Sequence, residues 1–163
     1  MTEQSLAIHL ELLLREMYEA ICRLNQVLED EYTALCDKNT DQLQATTVNK
    51  LDLTDEIEKL EKQRAILLQS RKLPLSNIGM YTFIHQLDNG VQASLNTQWS
   101  LIEKLIRECE EQNRINGIMV EDQKRYIQSA LSILSGKSLI TDTYDAKGST
   151  TNQDASTHIL ARA

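Results

Sequence analysis

Residues 6–35 read LAIHLELLLREMYEAICRLNQVLEDEYTAL, and the spacing of their apolar letters decides the fold. Leu6, Leu10, Leu13, Met17, Ile21, Leu24, Leu28, Tyr32 and Leu35 follow one another at steps of three or four. Such steps keep side chains on one face of a 3.6-residue helix, as a stripe about a third of the circumference wide. A strand would alternate with a period of two, and no useful length of this chain does so. No Gly or Pro interrupts the first 73 residues. The stretch is a long amphipathic helix whose apolar seam needs partners.

Working outward, the first helix is expected over residues 2–37. The polar run Asp37-Lys38-Asn39-Thr40-Asp41 breaks the pattern, and Asn39 with Gln42 three residues on resembles a capping arrangement. A second helix is expected over 40–72, with its stripe at Leu43, Thr46, Lys50, Leu53, Ile57, Leu60, Arg64 and Leu67. A short turn between facing stripes predicts an antiparallel hairpin. Pro74, the only proline, disfavours helical geometry at Leu73 and closes that helix. Ser76 can cap a third helical segment running to Asp88. The seam keeps phase through Ile84, Leu87, Val91 and Leu95 despite Asn89-Gly90, so a kinked but nearly continuous helix is expected to reach residue 135. From Ser135-Gly136 the composition turns to Ser, Thr, Asp and small residues, which reads as a flexible tail over 136–163. The expected fold is all-α: a hairpin of two long helices packed with a long third helix, forming an elongated bundle over residues 1–135.

Composition narrows function. Aromatics are only 4% of the chain, so thin packing of Leu, Ile and Val is expected rather than a thick aromatic core. The net charge of −7 comes from residues 1–135, with 14 Lys and Arg against 21 Asp and Glu. A body of that sign repels phosphate backbones and anionic bilayers, which speaks against nucleic acid and membrane surfaces as partners. No apolar run approaches the roughly 20 residues that span a bilayer, and Leu12–Leu14 are hemmed by Glu11, Arg15 and Glu16. A soluble, cytoplasmic protein without direct membrane insertion is expected.

Catalytic signatures are missing. His9, His85 and His158 lie far apart and none follows a Glu by three residues, so the Glu-x-x-His pattern of di-iron bundles is absent. There is no phosphate-cradling glycine loop, nucleophile elbow or Cys/His metal spacing. Cys22, Cys36 and Cys109 form no C-x-x-C pair and read as small buried hydrophobes. The expectation is a protein that is not an enzyme and takes no cofactor or metal.

Polar residues inside the seams carry more information. Lys50 and Arg64 occupy stripe positions two heptads apart: either their stems cover the seam while their ends reach a Glu or water, or they set the hairpin register. Asn113 and Asn116 lie about one turn apart and are expected to pin register in the third helix, since buried Asn costs energy without partners. Farther along, Ile118, Met119, Val120, Tyr126, Ile127, Leu131, Ile133 and Leu134 spread over more than one stripe. They either pack on the hairpin or offer an exposed face to a partner helix. Tyr144 stands out in a polar tail as an anchor for a docking motif.

Taken in order, Lys50, Leu53, Ile57, Leu60, Arg64, Leu67 and Leu68, then Asn113-x-x-Asn116, then Ala130-Leu131 to Leu134, then Tyr144-Asp145-Ala146-Lys147-Gly148, the chain resembles the FlgN family of flagellar type III export chaperones. The resemblance implies a non-catalytic chaperone of hook-associated (hook–filament junction) proteins, which masks their terminal helices, prevents premature assembly and presents them to the export gate. It implies client contact through the amphipathic region Asn116–Leu134, here Met119, Val120, Tyr126, Ile127, Leu131 and Leu134. It also implies that Tyr144 docks on the gate's cytoplasmic domain. Two rival classes stay open: a structural coiled coil that only self-associates, and an adaptor of another secretion system. A homodimer is compatible with each.

Overall fold

The computed structural model describes residues 3–135, and every regular element among them is an α-helix: α1 (Glu3–Asp37), α2 (Thr40–Ser70), α3 (Asn77–His85) and α4 (Asn89–Leu134). A boundary between two compact units falls between Asp122 and Gln123, within the length of α4. The predicted tail lies outside the described residues.

The α1–α2 turn is built as its sequence suggests. Asn39 Oδ1 accepts the Gln42 N–H at 3.1 Å, satisfying one of the donors left over at a helix start. Lys38 takes a left-handed φ of 54° to make the reversal. Two cross-helix ion pairs then set the direction: stepping along α1 from Arg23 to Glu31 moves the partner on α2 back from Glu56 to Lys50. The hairpin is antiparallel. Side-chain bonds between α1 and α4 instead keep a near-constant separation of 84 to 88 residues, from Cys109 with Ile21 and Asn25 to Asn116 with Leu28 and Glu31. In this unit α4 therefore runs parallel to α1, giving an up-down-up bundle.

The segment joining α2 to α4 differs from the nearly continuous helix expected there. Ser76 Oγ accepts the Gly79 N–H at 3.4 Å and opens α3, but α3 stops at His85. Residues 86–88 leave helical geometry before α4 starts at Asn89, so Asn89-Gly90 lies inside the new helix and the break precedes it. Two side chains consolidate the break: Asp88 Oδ1 accepts the Gly90 N–H, and the Gln92 amide donates to the carbonyls of Leu87 and His85. Hydrophobic phase nevertheless survives, with Ile84, Leu87 and Leu95 buried and Val91 packed against the core. Three residues take up the turn without changing which face points inward.

The core joins Leu6, Leu10, Leu13, Leu14, Met17, Ile21 and Leu28 of α1 to Leu60, Leu67 and Leu68 of α2, Met80, Phe83 and Ile84 of α3, and Leu95, Trp99, Ile102 and Cys109 of α4. Each large side chain fully buried here contributes about 1.5–3 kcal/mol. Tyr32, counted in the α1 stripe, is exposed, while its neighbour Glu31 is buried. Gly79 serves close packing: a Cβ there would stand 1.9 Å from the Pro74 carbonyl oxygen.

Candidate functional site

Where α1, α2 and α4 meet, the seam turns polar. Glu31, on α1 between Leu28 and Leu35, is only 8% exposed. Its carboxylate accepts Lys50 Nζ from α2 at 3.1 and 3.2 Å and the Asn116 amide from α4 at 2.7 Å. Asn116, 2% exposed, also donates to the Leu28 carbonyl at 2.9 Å and accepts from Gln112 at 3.0 Å. One buried carboxylate thus ties three helices together, each polar atom meeting a complement as burial demands.

Of the other two seam residues, Arg64 follows one of its two expected arrangements, its charged end reaching a Glu, and Asn113 departs from expectation. Arg64 is buried, yet its ion pair is with Glu61 of the same helix, Nε lying 2.9 Å from both carboxylate oxygens. Its contact with another helix is to α4: the guanidinium carbon stands 5.4 Å from the Trp99 ring centroid, a cation–π stack. Asn113 is exposed, so only Asn116 of the pair enters the seam. Glu31 and Trp99 were missed by sequence reading. Both were available at stripe spacing, Glu31 between Leu28 and Leu35 and Trp99 between Leu95 and Ile102.

Beside this seam lies a cleft of about 440 Å³. Met17, Ile21, Leu24 and Leu28 of α1 line it together with Ile57 and Arg64 of α2 and Trp99 and Ile106 of α4. Arg64 Nη1 and Trp99 Nε1 are both buried without a hydrogen-bond partner. At the α3 side, the Tyr81 hydroxyl donates to Glu103 at 2.6 Å, and this bond, followed by burial, raises the pKa of the phenol. Cys109 is buried as expected and its thiol is pushed up to about 11, chiefly by burial; Cys22 is half-buried, and Cys36 is exposed, contrary to the buried reading.

The last three turns of α4 present apolar groups to solvent. Tyr126 is 76% exposed, Ile127 57%, Leu131 58% and Leu134 82%, with Ile133 beside them. Ile127, Leu131 and Leu134 recur at steps of four and three and so share one helix face. In the other unit, Val120 is exposed and Met119 half-buried. Tyr144 lies outside the described residues. Among the described residues, no group of three or more His, Cys, Asp or Glu could hold a metal ion, and no helix is long and apolar enough to cross a membrane.

The class these observations define is an all-helical protein whose first unit is pinned by one buried carboxylate and whose last helix leaves large apolar side chains in water. The family model of the FlgN protein matches residues 1–152, and the chain belongs to the FlgN family, which makes it a flagellar export chaperone. No curated protein and no solved structure matches it.

Proposed function

We propose that this chaperone works in the cytoplasm on hook-associated proteins of the hook–filament junction, holding their terminal helices until export. The observation that carries this reading is the exposed apolar face of Ile127, Leu131 and Leu134, flanked by Tyr126 and Ile133. An amphipathic client helix that would otherwise polymerise finds there a complementary stripe, the helix-on-face mode of recognition. Val120 and Met119 are the further contacts assigned to the client. Titration calorimetry with the C-terminal helical segments of hook-associated proteins tests it. The native chain should bind and the Ile127→Glu/Leu131→Glu variant should not; equal binding by both would remove the site from this face.

Tyr144 is assigned to the next step, docking on the cytoplasmic domain of the export gate. Its place ten residues beyond Leu134, a lone aromatic in a polar segment with little apolar material, suits the anchor of a linear docking motif. Tyr144→Ala should weaken gate binding and leave the client complex intact. Loss of client binding with unchanged gate binding would reverse the assignment.

A further inference from the structure

On α1, the side chains pointing away from the core form a second seam. Ile8, Glu11, Arg15 and Tyr18 recur at steps of three, four and three, with Leu12 beside them, and all five are exposed. With Leu101 and Gln98 of α4 they line a groove of about 480 Å³ whose floor is the buried Leu14. Ile8, Leu12, Tyr18 and Leu101 are each 42–53% exposed, a large apolar surface for one groove. Gln98 Oε1, also lining it, is a buried acceptor without a donor. Glu11 and Arg15 stand in the order that favours an intrahelical ion pair, yet neither forms one.

We infer that this groove is the contact face for a second copy of the chain, packed α1 against α1 in antiparallel fashion across a two-fold axis. The order of side chains selects the occupant. Ile8 and Tyr18 lie equally far from residue 13, and so do Glu11 and Arg15. A two-fold axis at that point sets each Glu11 against the Arg15 of the other copy, twice over, and each Ile8 against a Tyr18. Interfaces of this symmetry must be self-complementary, and this seam is its own complement only in the antiparallel sense. Parallel pairing would oppose Glu11 to Glu11 and Arg15 to Arg15. From Ile8 to Tyr18 the seam is about 15 Å long. A contact of that length and one helix wide buries less than the roughly 800 Å² per partner typical of stable complexes unless the α4 wall joins in, so the dimer is weak and concentration-dependent. None of its residues belongs to the assigned client face, and the inference stands apart from the client reading.

Sedimentation velocity on the full chain, from micromolar to millimolar concentration, tests it. The native chain should shift from monomer to dimer. Glu11→Arg and Arg15→Glu should each weaken the dimer about tenfold or more, because two attractive pairs become repulsive. Thermal melts of both variants should match the native chain, since the side chains are exposed. Mixing the two variants should restore association as a heterodimer, and placing both substitutions in one chain should restore the homodimer. A native chain that stays monomeric throughout overturns the inference. So does a dimer indifferent to either reversal, or one that mixing fails to recover.

Discussion

Asn116 Nδ2 on α4 and Glu31 Oε2 on α1 lie 2.7 Å apart inside the bundle, and Lys50 Nζ on α2 reaches the same oxygen at 3.1 Å. Fixed offsets follow from this one point, because only one alignment of the three helices brings these groups together. Removing one partner should cost more than removing all three. Lys50→Leu leaves the Glu31 carboxylate buried with only the Asn116 amide as donor and should destabilise by about 2–3 kcal/mol, below the full cost of breaking a buried pair because Lys50 is partly solvated. The triple variant Glu31→Leu/Lys50→Leu/Asn116→Leu should melt at or above the native temperature while associating more broadly, since an apolar seam no longer specifies register. Urea titration with sedimentation checks both; a triple variant less stable than Lys50→Leu would refute the account.

Trp99 is the chain's only tryptophan, and its Nε1 is buried without an acceptor beneath the Arg64 guanidinium. Replacing it with Phe keeps an aromatic face for the cation and deletes a donor that bonds nothing. Trp99→Phe should therefore cost about 1 kcal/mol or less, against about 3–5 kcal/mol for Trp99→Ala. Equal losses in denaturant titration would mean that the indole N–H has an acceptor.

Much of the architecture was legible in the sequence because three- and four-residue spacing is a local property. The α1 and α2 stripes follow from it, and the polar run with Asn39 three residues before Gln42 marks the turn that makes them a hairpin. The break at residues 86–88 was not legible, since Ile84, Leu87, Val91 and Leu95 stay in phase on either side of it. Periodicity reports which face is buried and is blind to a turn that preserves the phase. Polar partners were also hidden: Lys50 and Asn116 announce themselves as polar residues in a stripe, but pairing both with Glu31 requires the relative offset of three helices. Arg64 shows the same limit, since its neighbour across the bundle is Trp99 of α4 rather than a group on α1.

The three thiols should separate by reactivity. Burial raises the Cys109 pKa to about 11, so below pH 9 it stays protonated in the fold, and its bonds to the Ile21 carbonyl and Asn25 are those of a thiol. Because the unfolded thiol loses its proton first, the raised folded pKa contributes stability below about pH 9 that is lost as pH rises towards 11. With iodoacetamide at pH 8, mass spectrometry should find Cys36 alkylated first and Cys109 only after denaturation. Rapid labelling of Cys109 in the native protein would contradict its burial.

Two glycines should respond to alanine with opposite signs. At Gly79 the new methyl would collide with the Pro74 carbonyl, so Gly79→Ala should destabilise by about 1–3 kcal/mol through displacement of the α2–α3 connection. Gly117 sits inside α4 with nothing within 4 Å of the place a methyl would take, and Gly117→Ala should gain about 0.5–1 kcal/mol from helix propensity. Thermal melts of the two variants check the pair. Stabilisation at Gly79 would show that the connection yields, and a loss at Gly117 would reveal a packing role there.

Substitution at the proposed client face should leave the free chain unchanged. Ile127 and Leu131 are more than half exposed, so neither contributes much burial to the free chaperone. Glu at both positions removes little apolar area from contact with protein, and surface changes of this kind usually stay within about 0.5 kcal/mol. The melting temperature of Ile127→Glu/Leu131→Glu without client should therefore match that of the native chain. With saturating client, the native chain should melt higher, as any ligand that binds only the folded state requires, and the variant should not. The paired comparison separates a binding face from a structural one. A variant already destabilised without client would place these side chains in the chaperone's own packing, and the client would then have to be sought on another surface.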